Sequence, residues 1–291
     1  MITNKKKPRI LLIILCLLLL ICIGTVLGGV ICNKALELNT YTVASRDLPE
    51  SFQGFRIAHV SDLHNATFGK DNEKLLDTIR ETNPHIIAIT GDIVDCRRTD
   101  VDVALNFVKK AVEIAPCYYV TGNHEMRVPD AFATLLAGLE EAGVTVLRNQ
   151  SLELEKDGDT ITLLGVDDPD FTYMSYSLGQ DSVVDSTLKE ITPEDESEFT
   201  LLLSHRPELF DVYEDNNIDL VLSGHAHGGQ FRLPFVGGLY APHQGVLPEY
   251  DSGLYSDNGT NLIVSRGIGN SLFPLRLFNP PEVILVELSK A

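Results

Sequence analysis

The chain has 291 residues, of which 44% are hydrophobic and 22% charged, with a formal net charge of −18. All 41 acidic residues lie beyond residue 34, against 18 of the 23 basic ones, so that part of the chain carries −23. A balance this acidic lacks the basic footprint of a nucleic-acid binder and disfavours flat adhesion to an anionic bilayer.

Lys5, Lys6, Lys7 and Arg9 precede the uncharged run 10–31. Its 22 residues make roughly 33 Å of helix, enough to cross a hydrocarbon core. The run is long for a signal peptide and no A-x-A site follows, so an uncleaved single-pass anchor is expected, making up residues 1–33 together with the basic tail. By the positive-inside rule the N-terminus is cytoplasmic, and the rest of the chain lies outside the cytoplasm at the cell membrane. Residues 34–53 read as a connector and 54–291 as one domain.

That domain opens with Phe55-Arg56-Ile57-Ala58-His59-Val60, an alternating strand ending at Ser61-Asp62. Residues 71–82 place Leu75, Leu76 and Ile79 at helical spacing, and Asn83-Pro84 stops the helix. A strand at 86–90 ends at Gly91-Asp92. A helix follows at about 101–115, then a strand at 118–121 ending at Gly122-Asn123, then a helix at about 130–142. This alternation predicts parallel pairing with crossover helices. Cys96 and Cys117 then fall at opposite ends of one sheet and are not expected to bridge. Residues 144–166 read as three short strands with a hairpin at Asp157-Gly158. The acidic stretch 168–198 reads either as a lid or as an exposed helix with flexible ends. A strand at 199–204 ends at His205, Pro207 opens a helix, and the strand at 220–222 ends at Gly224-His225. The tail is rich in Gly, Pro and aromatics, with strands expected at 261–265 and 282–288.

The candidate chemistry sits at those strand ends, where a sheet presents side chains at one point in space. Asp62 and His64 are two apart, project to one side and suit a single ion. Asp92 has two oxygens and can bridge, while Asn123 adds a neutral one. His205 stands alone; His225 and His227 repeat the i, i+2 spacing. Two Asp, one Asn and four His, with no thiol, suit two divalent ions such as Mn, Fe, Zn, Co or Ni. Paired ions point to phosphate-ester hydrolysis.

Ser61-Asp62-Leu63-His64, Gly91-Asp92, Gly122-Asn123-His124-Glu125, His205 and Gly224-His225-Ala226-His227 resemble the motifs of the calcineurin-like metallophosphoesterases. Gly228-Gly229-Gln230, 265–269 and 279–282 look like its membrane-anchored or exported bacterial branch. The resemblance implies an α/β fold: a four-layer sandwich of two mixed β-sheets flanked by helices, here preceded by one transmembrane helix. It assigns Asp62, His64, Asp92 and His227 to one metal, and Asp92, Asn123, His205 and His225 to the other. It makes a metal-bridging hydroxide the nucleophile. It gives His124 a catalytic role, stabilising charge or protonating the leaving oxygen, with Asp95 expected to hold the imidazole by a hydrogen bond.

Protein phosphatases of the superfamily read Gly-Asp-x-Val-Asp-Arg-Gly, and here Cys96 replaces the phosphate-clamping arginine, with Arg97 and Arg98 expected to point elsewhere. The departure favours diesters or pyrophosphates over phosphoproteins. His59 and His85 are expected in structural roles; His243, Arg266 and Arg276 are weaker candidates for lining the pocket. The substrate is a phosphate ester, with a lipid-linked one left open. The alternatives are a lipid pyrophosphatase resembling the UDP-diacylglucosamine hydrolases and a non-catalytic, metal-stabilised binding scaffold.

Overall fold

The structure is a computed structural model that describes residues 6–193 and 199–291. Helix α1 (Lys6–Cys32) includes one uncharged span, Leu11–Cys32, long and apolar enough to cross a membrane. Its apolar side chains between Leu11 and Leu27 are exposed, as befits a segment not built to pack on the domain.

Strand β1 (Glu37–Ser45) follows directly. Then come β2 (Arg56–Val60), α2 (Glu73–Glu81), β3 (Ile86–Thr90), α3 (Val101–Ala111), β4 (Cys117–Val120), α4 (Asn123–Met126), α5 (Pro129–Glu141) and β5 (Thr145–Val146). Strands β2 to β5 run parallel, as the alternation with helices predicts. Strand β6 (Gln150–Lys156) turns at Asp157-Gly158 into antiparallel β7 (Asp159–Gly165). Helices α6 (Met174–Leu178) and α7 (Gln180–Ile191) fill most of the acidic stretch, which is therefore helical; 194–198 lie outside the described residues. Strand β8 (Thr200–Leu203), α8 (Phe210–Asp215) and β9 (Leu220–Ser223) complete a second parallel run.

The tail holds two small ribbons, β10 (Arg232–Leu233) with β11 (Gly237–Gly238) and β12 (Tyr240–Ala241) with β13 (Gly245–Val246). It continues with β14 (Gly253–Asp257), β15 (Thr260–Val264) and β16 (Glu282–Lys290).

Two mixed six-stranded sheets result, ordered β1-β16-β2-β3-β4-β5 and β14-β15-β9-β8-β7-β6. Between them Ile57, Ala88 and Val120 of the first sheet meet Leu163, Leu201, Leu222 and Ile263 of the second. The alternate residues face outward, where α2, α3 and α5 cover the first sheet through Leu76, Phe107 and Leu135. Over the second sheet, α7 and α8 contribute Leu188, Phe210 and Tyr213. The central strands are buried on both faces, which is why they read as unbroken apolar runs. Four layers stand as expected.

Two local readings need correction. The segment expected as a connector, 34–53, contains β1, which pairs in parallel with β16 over nine residues, from Glu37↔Glu282 to Ser45↔Lys290. Only Val43 of this edge strand is fully buried, so its sequence carries no strong apolar pattern. The helix expected from 71 begins at Glu73, because Asp71 and Asn72 adopt left-handed backbone angles (φ 52° and 62°). Asn72 Oδ1 there accepts the N–H of Phe68 at 2.8 Å.

Candidate metal centre and active site

The chain leaves β2, β3, β4, β8 and β9 on one edge of the sandwich, and the candidate residues occupy those exits. At Asp62, His64, Asp92, His225 and His227 the backbone is left-handed, with φ between 44° and 64°. Such positions cost about 1–3 kcal/mol each unless the surroundings impose them. The impositions are visible. Asp62 N–H donates to Gly91 O at 3.1 Å and His64 N–H to Asp92 O at 3.0 Å. The loops approach so closely that a Cβ on Gly122 would collide with the Asp92 carboxylate, and one on Gly224 with Ser61 and Asp62.

These kinks turn the side chains inward onto two overlapping clusters. In the first, His227 Nε2 lies 3.3 Å from Asp62 Oδ1 and 3.1 Å from His64 Nε2, and His64 Nε2 lies 3.6 Å from both Asp62 Oδ1 and Asp92 Oδ2. In the second, His205 Nε2 lies 3.3 Å from Asp92 Oδ2 and 3.2 Å from His225 Nδ1. Asp92 Oδ2 belongs to both. Each carboxylate spends its other oxygen on the loops: Asp62 Oδ2 accepts from Ser61 Oγ and His225 N–H, and Asp92 Oδ1 from His124 N–H. Asp62 Oδ1 and Asn123 Oδ1 are buried and accept no hydrogen bond among the described residues.

This donor set fits divalent ions. Ligand distances of about 2.0–2.2 Å place neighbouring donors about 3.0–3.5 Å apart, the spacing seen here, and unpartnered buried oxygens are the groups a cation would satisfy. His205 Nδ1 faces Thr90 O at 2.7 Å, so a proton sits there and Nε2 is turned to the cluster. Burial pushes His227 down to about 3, whereas at His205 the opposing burial is overridden by Asp92, which holds the imidazolium up to about 10.

His124 stands beside the clusters, its ring edge-on to His64 with centroids 4.5 Å apart. Cys96 N–H donates to His124 Nδ1 at 3.1 Å, so the neutral ring carries its proton on Nε2, toward Ser271 Oγ at 3.3 Å. Burial pushes its pKa down to about 4, which keeps the ring neutral. Asp95 does not hold it. Asp95 Oδ1 accepts the N–H groups of Arg97 and Arg98 instead, and Oδ2 lies 4.0 Å from His64 Nδ1. The short Asx-type turn takes Oδ1, and His124 Nδ1 is already occupied by Cys96 N–H.

Calcineurin-like phosphoesterase is the family whose model matches residues 55–229. The chain belongs to that family. Phosphate-ester hydrolysis with divalent metal ions follows from membership, and the motif residues lie in its matched region. Among relatives, the metallophosphoesterase YkuE of Bacillus subtilis is 31% identical over 259 residues, covering 87% of this chain and 85% of its own. The phosphodiesterase YaeI of Escherichia coli is 32% identical over 247 residues, 80% of this chain and 82% of its own. A transmembrane protein with a metallophosphoesterase domain from Danio rerio is 28% identical over 84% of this chain, which spans 55% of that longer protein.

In this family member Asp92, Asn123, His124, His225 and His227 line a cavity of about 330 Å³. Cys96, Arg97 and Arg127 also line it, as do Phe231, Tyr240, Leu272 and Phe273. Arg97 was expected to point elsewhere but lines the cavity, as His243 does. Arg266 and Arg276 do not: Arg266 pairs with Glu37 and Glu282, and Arg276 is buried with its donors on Asn270 and the carbonyls of Arg266 and Gly269. His59 bonds Thr90 and His85 accepts Arg56 N–H, both structural roles.

Two residues went unassigned in the sequence. Arg206 is fully buried, forks onto Asp168 and reaches His243 Nδ1 at 2.7 Å and His225 Nε2 at 3.4 Å, backing the second cluster. Glu125 accepts the N–H groups of Asp92, Gly122 and Val94, tying the β3 and β4 exits together. Glu125 belongs to the Gly122-Asn123-His124-Glu125 motif, where a charged residue is the available signal; Arg206 had only its adjacency to His205.

Proposed function

We propose that the chain is a two-metal phosphodiesterase or pyrophosphatase, tethered by α1 with its active site outside the cytoplasm. Asp62, His64, Asp92 and His227 would hold one ion, and Asp92, Asn123, His205 and His225 the other. Bound there, the ions supply Lewis-acid polarisation of the phosphoryl oxygens and activation of water.

The remaining work belongs to side chains. His124 donates from Nε2–H to the oxygen on which charge develops, fixed in that tautomer by Cys96 N–H. Arg97 and Arg127 put positive charge at the cavity wall, while the apolar side chains exclude water and seat the alcohol part of the ester.

The observation that carries the diester reading is the cavity wall itself: a thiol, Cys96, stands where protein phosphatases present a clamping arginine, and apolar side chains line the same cavity. A dianionic monoester loses more from that exchange than a monoanionic diester with two carbon substituents to bury. The name of the YaeI relative, a phosphodiesterase, supports it. The test compares kcat/KM for bis(nitrophenyl) phosphate and nitrophenyl phosphate under one metal, with Cys96→Arg beside the parent chain. The diester is expected to be preferred, and Cys96→Arg to shift the ratio toward the monoester. A monoester preference of roughly tenfold, unmoved by Cys96→Arg, would overturn the reading.

A further inference from the structure

Beside the cavity mouth lies an apolar surface that no described residue covers. Phe235, Val236, Val246, Leu247, Leu272 and Phe278 are each more than half exposed. They come from two stretches, 233–247 and 272–278, that are fastened together. Phe231 bridges to Leu277, Arg232 N–H donates to Leu277 O at 2.9 Å, and the Phe231 and Phe273 rings meet edge to face with centroids 5.5 Å apart.

The second stretch also grips the end of α1. Asn33 Nδ2 donates to Pro274 O at 2.6 Å, and Asn33 Oδ1 accepts Arg276 N–H at 2.8 Å. Gly29 is buried there, and a Cβ on it would lie 3.2 Å from Leu275 Cβ. The apolar span ends at Cys32, three residues beyond Gly29, so this contact lies roughly 4.5 Å inside the span. A loop that touches a spanning helix at that depth is itself within the interfacial layer.

Charge narrows the mode of contact. A domain carrying −23 is not drawn to a membrane electrostatically. Insertion of aromatic and aliphatic side chains beside the anchor is the contact that fits. Leu272, Phe273 and Tyr240 belong both to this exposed surface and to the cavity wall, so the cavity opens into the same layer.

We propose that the stretches 233–247 and 272–278 seat in the bilayer interface beside α1, and that the cavity draws its substrate from there: a lipid bearing its phosphate ester at the headgroup. The ester lies over the Asp/His clusters and the chain leaves along Leu272 and Phe273. The substrate half rests on the phosphoesterase reading above; the seating does not.

The chain has no tryptophan, so single reporters read position directly. The full chain is reconstituted in phosphatidylcholine nanodiscs whose lipids carry brominated acyl chains, as Phe235→Trp, Phe278→Trp, mid-span Leu19→Trp, and Glu155→Trp. Glu155 is exposed and pairs with Thr160 at the start of β7, the opposite end of its sheet from His205. Phe235→Trp and Phe278→Trp are expected to lose most of their emission, as Leu19→Trp does, with Glu155→Trp unaffected. Quenching at 235 and 278 no greater than at 155, or none at 19, would overturn the seating.

For the substrate, the Phe235→Ser/Phe278→Ser double variant is assayed on a diacylglycerol nitrophenyl phosphate in the nanodisc and on soluble bis(nitrophenyl) phosphate. The expected result is a roughly tenfold loss of kcat/KM on the lipid ester with the soluble rate unchanged. Equal losses on both, or no loss on the lipid ester, would overturn the loading route. If the parent chain cleaves neither ester while the quenching stands, the phosphoesterase reading fails and takes the substrate half with it, leaving the seating in place.

Discussion

Asp92 is the residue on which most depends, because its Oδ2 faces His64, His205 and His124 at 3.6, 3.3 and 3.9 Å, while its Oδ1 anchors the His124 backbone. Asp92→Asn is expected to empty both ion positions, whereas His227→Ala, which faces only the first cluster, should leave one ion per chain; elemental analysis of the two purified variants checks this. His124 is expected to act by hydrogen-bond donation from Nε2–H, the tautomer that Cys96 N–H imposes. His124→Ala should retain metal and lose about 10²–10³-fold in kcat, the usual consequence of removing one such donor. His124→Gln, which can place an N–H near the former Nε2, should recover part of that loss. Equal defects in the two variants would mean that the imidazole shuttles a proton. The candidate ligands were legible in the sequence because each follows an apolar strand, and Asp92, Asn123, His225 and His227 also sit next to a glycine. The hydrogen bonds were not. Asp95 turned to Arg97 and Arg98 in its own loop, and Arg206 found Asp168, 38 residues earlier, a pairing with no local pattern.

Among the elements, β3, β8 and β9 were readable as apolar runs because both faces are buried, β2 by its alternation, and α2 and α3 by the spacing of the residues they bury. Strand β1 was not, since its partner β16 lies some 245 positions later and most of its side chains stay partly exposed. Shortening the chain therefore has a sharp boundary. A chain beginning at residue 36 keeps β1 and should remain folded and soluble. One beginning at residue 46 uncovers the backbone of β16 along nine residues and is expected to melt at a lower temperature and to aggregate, as an exposed strand edge does. Thermal unfolding with light scattering compares them; indistinguishable behaviour would mean that β1 is dispensable. Gly224→Ala belongs to the same scale. Its Cβ would push on Ser61 and Asp62, so the loops should spread and the first ion be held less tightly, with the two sheets intact by circular dichroism.

For the whole molecule, the placement of charge decides the expected topology. Lys5, Lys6, Lys7 and Arg9 stand before the apolar span, and every acidic residue stands after it. Protease added to intact spheroplasts is expected to digest the domain while sparing the N-terminal tail; protection of the domain until lysis would place it in the cytoplasm. The fold brings five strand exits to one edge, and the enzyme reading stands or falls on what those exits hold. The most direct measurement is elemental analysis paired with hydrolysis of bis(nitrophenyl) phosphate by the full chain, before and after chelation. The expected result is two divalent ions per chain, loss of both ions and of activity on chelation, and recovery of both on adding Mn or a similar ion. A fully active chain holding one ion or none would contradict the two-metal site.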